Sequence, residues 1–332
     1  MNKTIDRLLF SILLGLPGLV GLVSLPIAAS AQEFPTRPVR LVVPYPPGGQ
    51  PDNIARSLAP SVSASLGQTF IIENRPGGGG LTGLQEVARA APDGYTLLSA
   101  DAGQWAIQPA LRPGIYDFEK SFAPIALVTT SALYIAVAVR DDVPARNIQE
   151  FIALVKSKPG ALSYGHAGNG TIHHLFMESF KAAVGLDMLA VPYKGSVQMG
   201  QALLAGDIPI GILAIAGAKP HLATGKLRLL VAGTRERSRL TPDVPSMGDI
   251  GQTDFNFAGE TAYLAPVGTP RAIVERLAGI LAKSVQLPDV LQRAEAFGVE
   301  MIHRNPVQLA QHIREDVARY ARAVKISGAK VD

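Results

Sequence analysis

The chain contains no cysteine, which removes thiol catalysis, cysteine-ligated zinc and disulfide bonds from consideration. A secreted protein of this length can hold its fold on a hydrophobic core alone. Aromatic residues are scarce, 6% of the total with one tryptophan. Charged residues make up only 17%, and the formal net charge of +4 is spread without any long basic run. Nucleic-acid binding therefore gains no support from charge. HExxH, a G-x-S-x-G nucleophile elbow and a Walker-type lysine after a Gly loop are all missing. Beyond the N-terminal region, no apolar stretch runs far enough without charge, Pro or Gly to span a bilayer.

What is present is a hydrophobic content of 47% over 332 residues, the composition of a folded α/β protein of about two domains. The first residues stand apart. Lys3 and Arg7 precede a nearly unbroken apolar stretch, Leu8 to Ala29, and Pro26 breaks it just before Ala29-Ser30-Ala31. Small residues at those two alanine positions are what a signal peptidase reads, so residues 1–31 are expected to be a cleaved secretory signal. The mature, periplasmic protein would begin at Gln32. A retained membrane anchor is the alternative reading of the same stretch.

Downstream, short apolar runs alternate with helix-like segments, the pattern of a largely parallel α/β sheet. Strands are expected at Val39 to Pro44, Thr69 to Glu73, Tyr95 to Ala100, Leu162 to Tyr164, Ala190 to Tyr193, Ile208 to Leu213, Leu227 to Ala232 and Tyr263 to Pro266, with a long β-rich stretch over Ile125 to Val139. Helices are expected at Pro51 to Ala64, Gly83 to Ala90, Asn147 to Ser157, Thr171 to Val184, Arg271 to Gln286 and Val307 to Lys325. No Pro/Ser-rich linker is present, so two lobes would be joined by crossing strands. The candidates are the runs near Tyr134 to Val139 and near Phe257 to Tyr263, which divide the chain into lobe 1 (32–133 and 258–332) and lobe 2 (134–257).

Two Gly-rich loops carry the chemistry. Each follows an expected strand and opens an expected helix. The first is Tyr45-Pro46-Pro47-Gly48-Gly49-Gln50-Pro51-Asp52, with Pro51 suited to a first helical turn. The second is Gly165-His166-Ala167-Gly168-Asn169-Gly170-Thr171. Helix starts present unpaired N–H groups and partial positive charge, so each can receive an anion without any Arg or Lys. A simple tight turn explains the first loop about as well. A third run, Gly77-Gly78-Gly79-Gly80, formally makes GxGxxG with Gly83. Asn74-Arg75-Pro76 separates it from its strand, which argues against a dinucleotide site. His166, His173 and His174 are close in sequence, but adjacent helical residues diverge by about 100° and do not readily share one ion. Trp105 fits packing better than ligand stacking, and Tyr193 fits core or cleft equally. Backbone donors with no nucleophile or base beside them favour binding over turnover.

The ordered set FPTRPVRLVVPYPPGGQPDNIAR, ENRPGGGGLTG, DGYTLL, HAGNGTIHHL, VPYKGS, GKLRLLV and PDVPS resembles the Bug-type solute receptors of tripartite tricarboxylate transporters over essentially the whole mature chain. The resemblance implies a two-lobed type II periplasmic-binding-protein fold, α/β in class, with its ligand cleft between the lobes. It implies a small carboxylate ligand (di-, tri- or aromatic), held by the two loops and often by bound water. It also implies membrane permease subunits as partners. By position it places Tyr45, Gly48, Gly49 and Asp52 on the first loop. On the second it places Ala167, Gly168, Gly170, Thr171 and His174, with Tyr193 nearby. Asp101, Ala102 and Gly103, after the third strand, should border the cleft. Departures from the family pattern are Pro51 for a hydroxyl residue, Pro209 for an aspartate, and Gly259-Glu260-Thr261-Ala262-Tyr263 where an aromatic is usual, which Tyr263 would partly supply. No enzyme activity, cofactor, metal or nucleic acid is expected, and the chain is expected to act as a monomer. A receptor that docks a signalling partner is the alternative, and a secreted carboxylate-processing enzyme a more distant one.

Overall fold

The computed structural model describes residues 34–139 and 143–330. The signal segment expected over residues 1–31 lies outside them. No helix among the described residues is long and apolar enough to cross a membrane.

Strand β1 (Val39–Val43) is nearly wholly buried and feeds helix α1 (Gln50–Leu66). Gly67, at φ 69°, ends that helix in the left-handed conformation that glycine adopts without strain. β2 (Phe70–Asn74) leads through the Gly run into α2 (Leu81–Ala88), and β3 (Thr96–Ala100) follows. A π-helical turn, Gly103–Ile107, continues from β3 into α3 (Gln108–Leu111), and α4 (Phe118–Ser121) precedes β4 (Phe122–Ala138). Then come α5 (Ile148–Ser157), β5 (Ser163–His166), α6 (Ile172–Val184), β6 (Leu189–Pro192), α7 (Ser196–Ala205), β7 (Ile210–Ala214), α8 (Ile215–Leu222) and β8 (Leu227–Ala232). The chain closes with β9 (Ala258–Pro266), α9 (Arg271–Ser284), α10 (Pro288–Ala296), β10 (Glu300–Arg304) and α11 (Pro306–Ser327).

The strand order β2-β1-β3-β9-β4-β7-β5-β6 turns on β4, against which β8 and β10 also pair. Its first part, Phe122 to Ala132, runs antiparallel to β9, and β10 pairs within that part. Its second part, Leu133 to Ala138, pairs with β7 and β8. One long strand thus belongs to two sheets. β1, β2 and β3 are parallel, as are β5, β6 and β7, so the loops into α1 and α6 both leave the carboxyl ends of their strands. In sheets of this kind the ligand crevice lies at those ends. β9 is antiparallel to β3, with Ala100 opposite Ala262, which brings Gly259 to Thr261 to the same end.

α11 anchors this end from outside. Asn305 and Gln308 form a capping box, and Leu309, His312, Ile313, Asp316, Tyr320 and Ala323 make its buried stripe. Two titratable side chains in an otherwise apolar stripe need partners, because burying a polar group without one costs several kcal/mol on an order-of-magnitude scale. Trp105 donates its indole N–H to Asp316 Oδ2 at 2.8 Å, and Arg319 also donates to Asp316. His312 Nε2 meets Glu260 Oε2 at 2.6 Å.

Candidate functional site

The first loop builds one wall. Gly49 caps α1 in extended conformation, and Pro51 occupies the first turn, where its missing N–H is no loss. Asp52 is buried and turns back on the loop. It accepts the Gly48 N–H at 2.9 Å, Arg56 Nε at 3.0 Å and Asn74 Nδ2 at 3.0 Å. Burial alone would raise its pKa, but these donors win and hold it below the ordinary carboxylate value. Asp52 is therefore a brace for the loop. The first N–H groups of a helix such as α1 have no partner within the helix itself.

The second loop builds the opposite wall. Thr171 caps α6, and its hydroxyl donates to Gly168 O at 2.7 Å. Gly170, at φ 71°, donates its N–H to His174 Nδ1 at 3.2 Å. His166 stacks on His174 at 4.3 Å, and its Nδ1 lies 3.0 Å from Gly168 O. Burial pushes His173 and His174 down to about 4. His174 holds the loop through Gly170, whereas His173 lines the cleft with its buried Nδ1 unpartnered. Burial also lowers His166.

The turn after β3 forms the floor. Asp101 Oδ1 accepts the Gly103 N–H at 2.7 Å, and a Cβ at Gly103 would stand 2.7 Å from that same oxygen. Asp101 Oδ2 accepts the Tyr45 hydroxyl at 2.6 Å, and Gln104 Nε2 donates to that hydroxyl at 2.7 Å. Burial raises the Asp101 pKa against these bonds, and the charge of Glu260 adds to the rise. Burial and Asp101 also hold the Tyr45 phenol well above its usual range.

These three segments and the start of β9 enclose one cleft of about 730 Å³. Of the residues expected at a site, Tyr45, Gly49, Asp101, Ala102, Gly103, Ala167, Gly170 and Thr171 line it. Gly48, Asp52, Gly168, His174 and Tyr193 are not among its lining. Sequence reasoning missed Gly79, Gln104, Ile107, Gln108 and Leu111, and the run Ala258 to Thr261. A π-helical turn carries Gln104 and Ile107 inward, and nothing in the local sequence signals that geometry. The Gly run has a packing reason: a Cβ at Gly80 would meet Gln104 Nε2 at 2.6 Å. Tyr263 is fully buried with its hydroxyl unpartnered and does not reach the cleft. Trp105 is likewise core.

Another cavity of similar size, about 760 Å³, is lined by Arg235, Arg237, Arg239, Arg304, Arg319 and Arg322. Among the described residues, Glu260 is the one side chain or backbone shared by both linings. Acids already answer several of these arginines: Asp249 pairs with Arg237, Glu300 with Arg239 and Asp316 with Arg319. The cleft between the loops is the better site, because the starts of α1 and α6 both open on it. Glu260, His312 and Asp316 lie close enough to hold a cation, but Arg319 and Trp105 already satisfy Asp316 and His312 already bonds Glu260.

Comparison with known proteins agrees with this geometry. BugT of Bordetella pertussis is 32% identical over 304 residues, covering 91% of this chain and 93% of that protein. An R. palustris protein solved with adipate is 30% identical, with a TM-score of 0.72, covering 90% of this chain and all of that one (100%). MatC of Rhodopseudomonas palustris, solved with malate, is 32% identical, with a TM-score of 0.68 over 88% of this chain and 100% of that one. These neighbours establish a periplasmic-binding-protein fold. The model of the tripartite tricarboxylate transporter family receptor matches residues 54–328, and the chain belongs to that family of solute receptors.

Proposed function

We propose that the protein is a periplasmic solute receptor that captures a small carboxylate between two lobes and delivers it to the membrane permease of a tripartite transporter. The observation that carries this reading is the convergence of two open helix starts, those of α1 and α6, on one cleft. A carboxylate there would accept backbone N–H bonds from Gly49 and Gln50 on one side and from Ile172 and His173 on the other. The family resemblance and the adipate and malate of the solved relatives support the same ligand class.

The lobes in this reading are residues 32–133 with 258–332, and residues 134–257. The crossing would occur along β4 and into β9, whose pairing changes near Ala132 and Leu133. Closure would then be a hinge motion about those strands that excludes water from the ligand. A receptor working near micromolar concentration needs about −8 kcal/mol, which several charge-assisted bonds to a desolvated carboxylate can supply. The chain is read as a binder that performs no chemistry on its ligand.

The test is a thermal-shift screen of the mature chain from Gln32, refolded to strip carried-over ligand, against carboxylic acids, amino acids and the matching amides. Ligand at a hundredfold excess over Kd should add about 2.7 kcal/mol of stability. A shift with an acid and none with its amide supports the reading; no shift with any acid overturns it.

A further inference from the structure

The cleft is built asymmetrically. Its two loops offer N–H donors, whereas its floor offers acceptors. Among the described residues no arginine or lysine lines it, yet two acidic residues do, Asp101 and Glu260. Both oxygens of Asp101 accept, from the Gly103 N–H and from the Tyr45 hydroxyl. Gln104 donates into Tyr45 from behind, so the phenolic proton is committed to Asp101. The result is a carboxyl group held by neutral dipoles alone, whose pKa burial and the charge of Glu260 raise. Glu260 is the second acid of the lining. Burial disfavours the His312 imidazolium while the nearby carboxylates favour it. Arg304, which can only donate, stands 2.5 Å from Nδ1 and decides the matter by requiring a lone pair there. The proton on Nε2 of His312 then donates to Glu260.

Three further polar atoms of the lining are buried without partners: Gln108 Oε1, which can only accept, and His173 Nδ1 and the Thr261 hydroxyl, which can take either role. Buried polar atoms are nearly always satisfied in a working state, so these wait for ligand groups. A second carboxylate placed on this floor would meet Asp101 and an orphaned acceptor, a costly arrangement. An ammonium group would find acceptors there, Asp101 and Gln108 Oε1 among them.

We propose that the cleft selects zwitterionic ammonium carboxylates over dicarboxylates, with the helix starts of α1 and α6 holding the carboxylate and Asp101 receiving the ammonium group. This rests on the receptor reading above and sharpens its ligand class. Asp101 is the specificity-determining residue, and Glu260 and Gln108 support it.

The experiment is calorimetric titration of the refolded mature chain with matched pairs: γ-aminobutyrate against succinate, ε-aminocaproate against adipate, and alanine against lactate. At least one ammonium ligand should bind tenfold or more tightly than its partner, and Asp101→Asn should abolish that preference by weakening the ammonium ligand and tightening its partner. Dicarboxylates or hydroxy acids binding as tightly as their ammonium counterparts would overturn the proposal and leave the receptor reading standing. Binding of none of these, together with no response to any acid in the thermal screen, would overturn the receptor reading itself. Should Asp101→Asn fail to fold, the wild-type comparison decides alone, and Gln108→Leu, expected to weaken the same preference, replaces it.

Discussion

His312 Nε2 donates to Glu260 Oε2 at 2.6 Å, joining the outer helix α11 to the strand whose start lines the cleft. Both residues are buried, at 2% and 6% exposure. Replacing His312 by Phe would leave Glu260 without its donor and Arg304 without its acceptor. Loss of one partner of a buried charged bond costs about 3 kcal/mol. Urea denaturation of His312→Phe should show a loss of that order. The double variant with Glu260→Gln should lose less than the sum of the two single changes, since the pair is one interacting unit. Additive losses would mean that the bond contributes nothing beyond packing.

Gly170 offers a test of how close the walls must come. It sits at φ 71°, and a Cβ there would lie 2.9 Å from Leu111 Cδ1 on the floor. Gly170→Ala therefore combines backbone strain of about 1 to 2 kcal/mol with a push against Leu111. The expected outcome is a lower melting temperature and ligand affinity reduced about tenfold, which corresponds to about 1.4 kcal/mol. Unchanged affinity in a destabilised variant would show that the bound state does not bring Leu111 and Gly170 together.

Much of this arrangement was legible in the residues themselves. Pro51 and the two glycines before it marked the start of α1, and Thr171 with Gly170 marked that of α6, because helix caps have local chemistry. The strands from Val39, Thr96 and Leu227 were visible as short apolar runs. What escaped were elements whose identity is tertiary. β10 reads Glu-Met-Ile-His-Arg, a weak pattern that becomes a strand only by pairing with β4. α7, α8 and α10 also went unread. The run from Phe257 to Tyr263 was read as a crossing strand, but its place in the site was not, because Gly259, Glu260 and Thr261 carry no local signal of the cleft they line.

The histidines of the second loop make stability depend on pH in a defined direction. His173 and His174 are lowered to about 4 by burial, whereas a free histidine titrates near 6.5. Between those values the unfolded chain takes up protons that the folded chain refuses. Stability therefore rises with pH across that window and is lost as pH falls from about 6.5 toward 4. Denaturant midpoints measured at intervals between these limits should fall with decreasing pH, and His174→Gln should flatten the fall. Imidazole resonances of His173 and His174 that titrate at the free value would contradict the burial seen here.

Trp105 is the only tryptophan, so its fluorescence reports one place. It is fully buried, edge-on to Phe118 at 6.5 Å and His312 at 6.4 Å, with its N–H on Asp316. The emission of the native protein should resist quenching by iodide and become quenchable in urea. Trp105→Phe keeps a ring in the pocket but strips a donor from Asp316, at a cost of about 1 to 3 kcal/mol. Its chain neighbours Gln104 and Ile107 line the cleft, so a ligand that reorganises the floor must disturb the indole. Saturating ligand should therefore shift the emission in the wild type. A calorimetrically confirmed ligand that leaves the emission unchanged would show a preformed floor, and closure would then have to come entirely from the loops of α1 and α6.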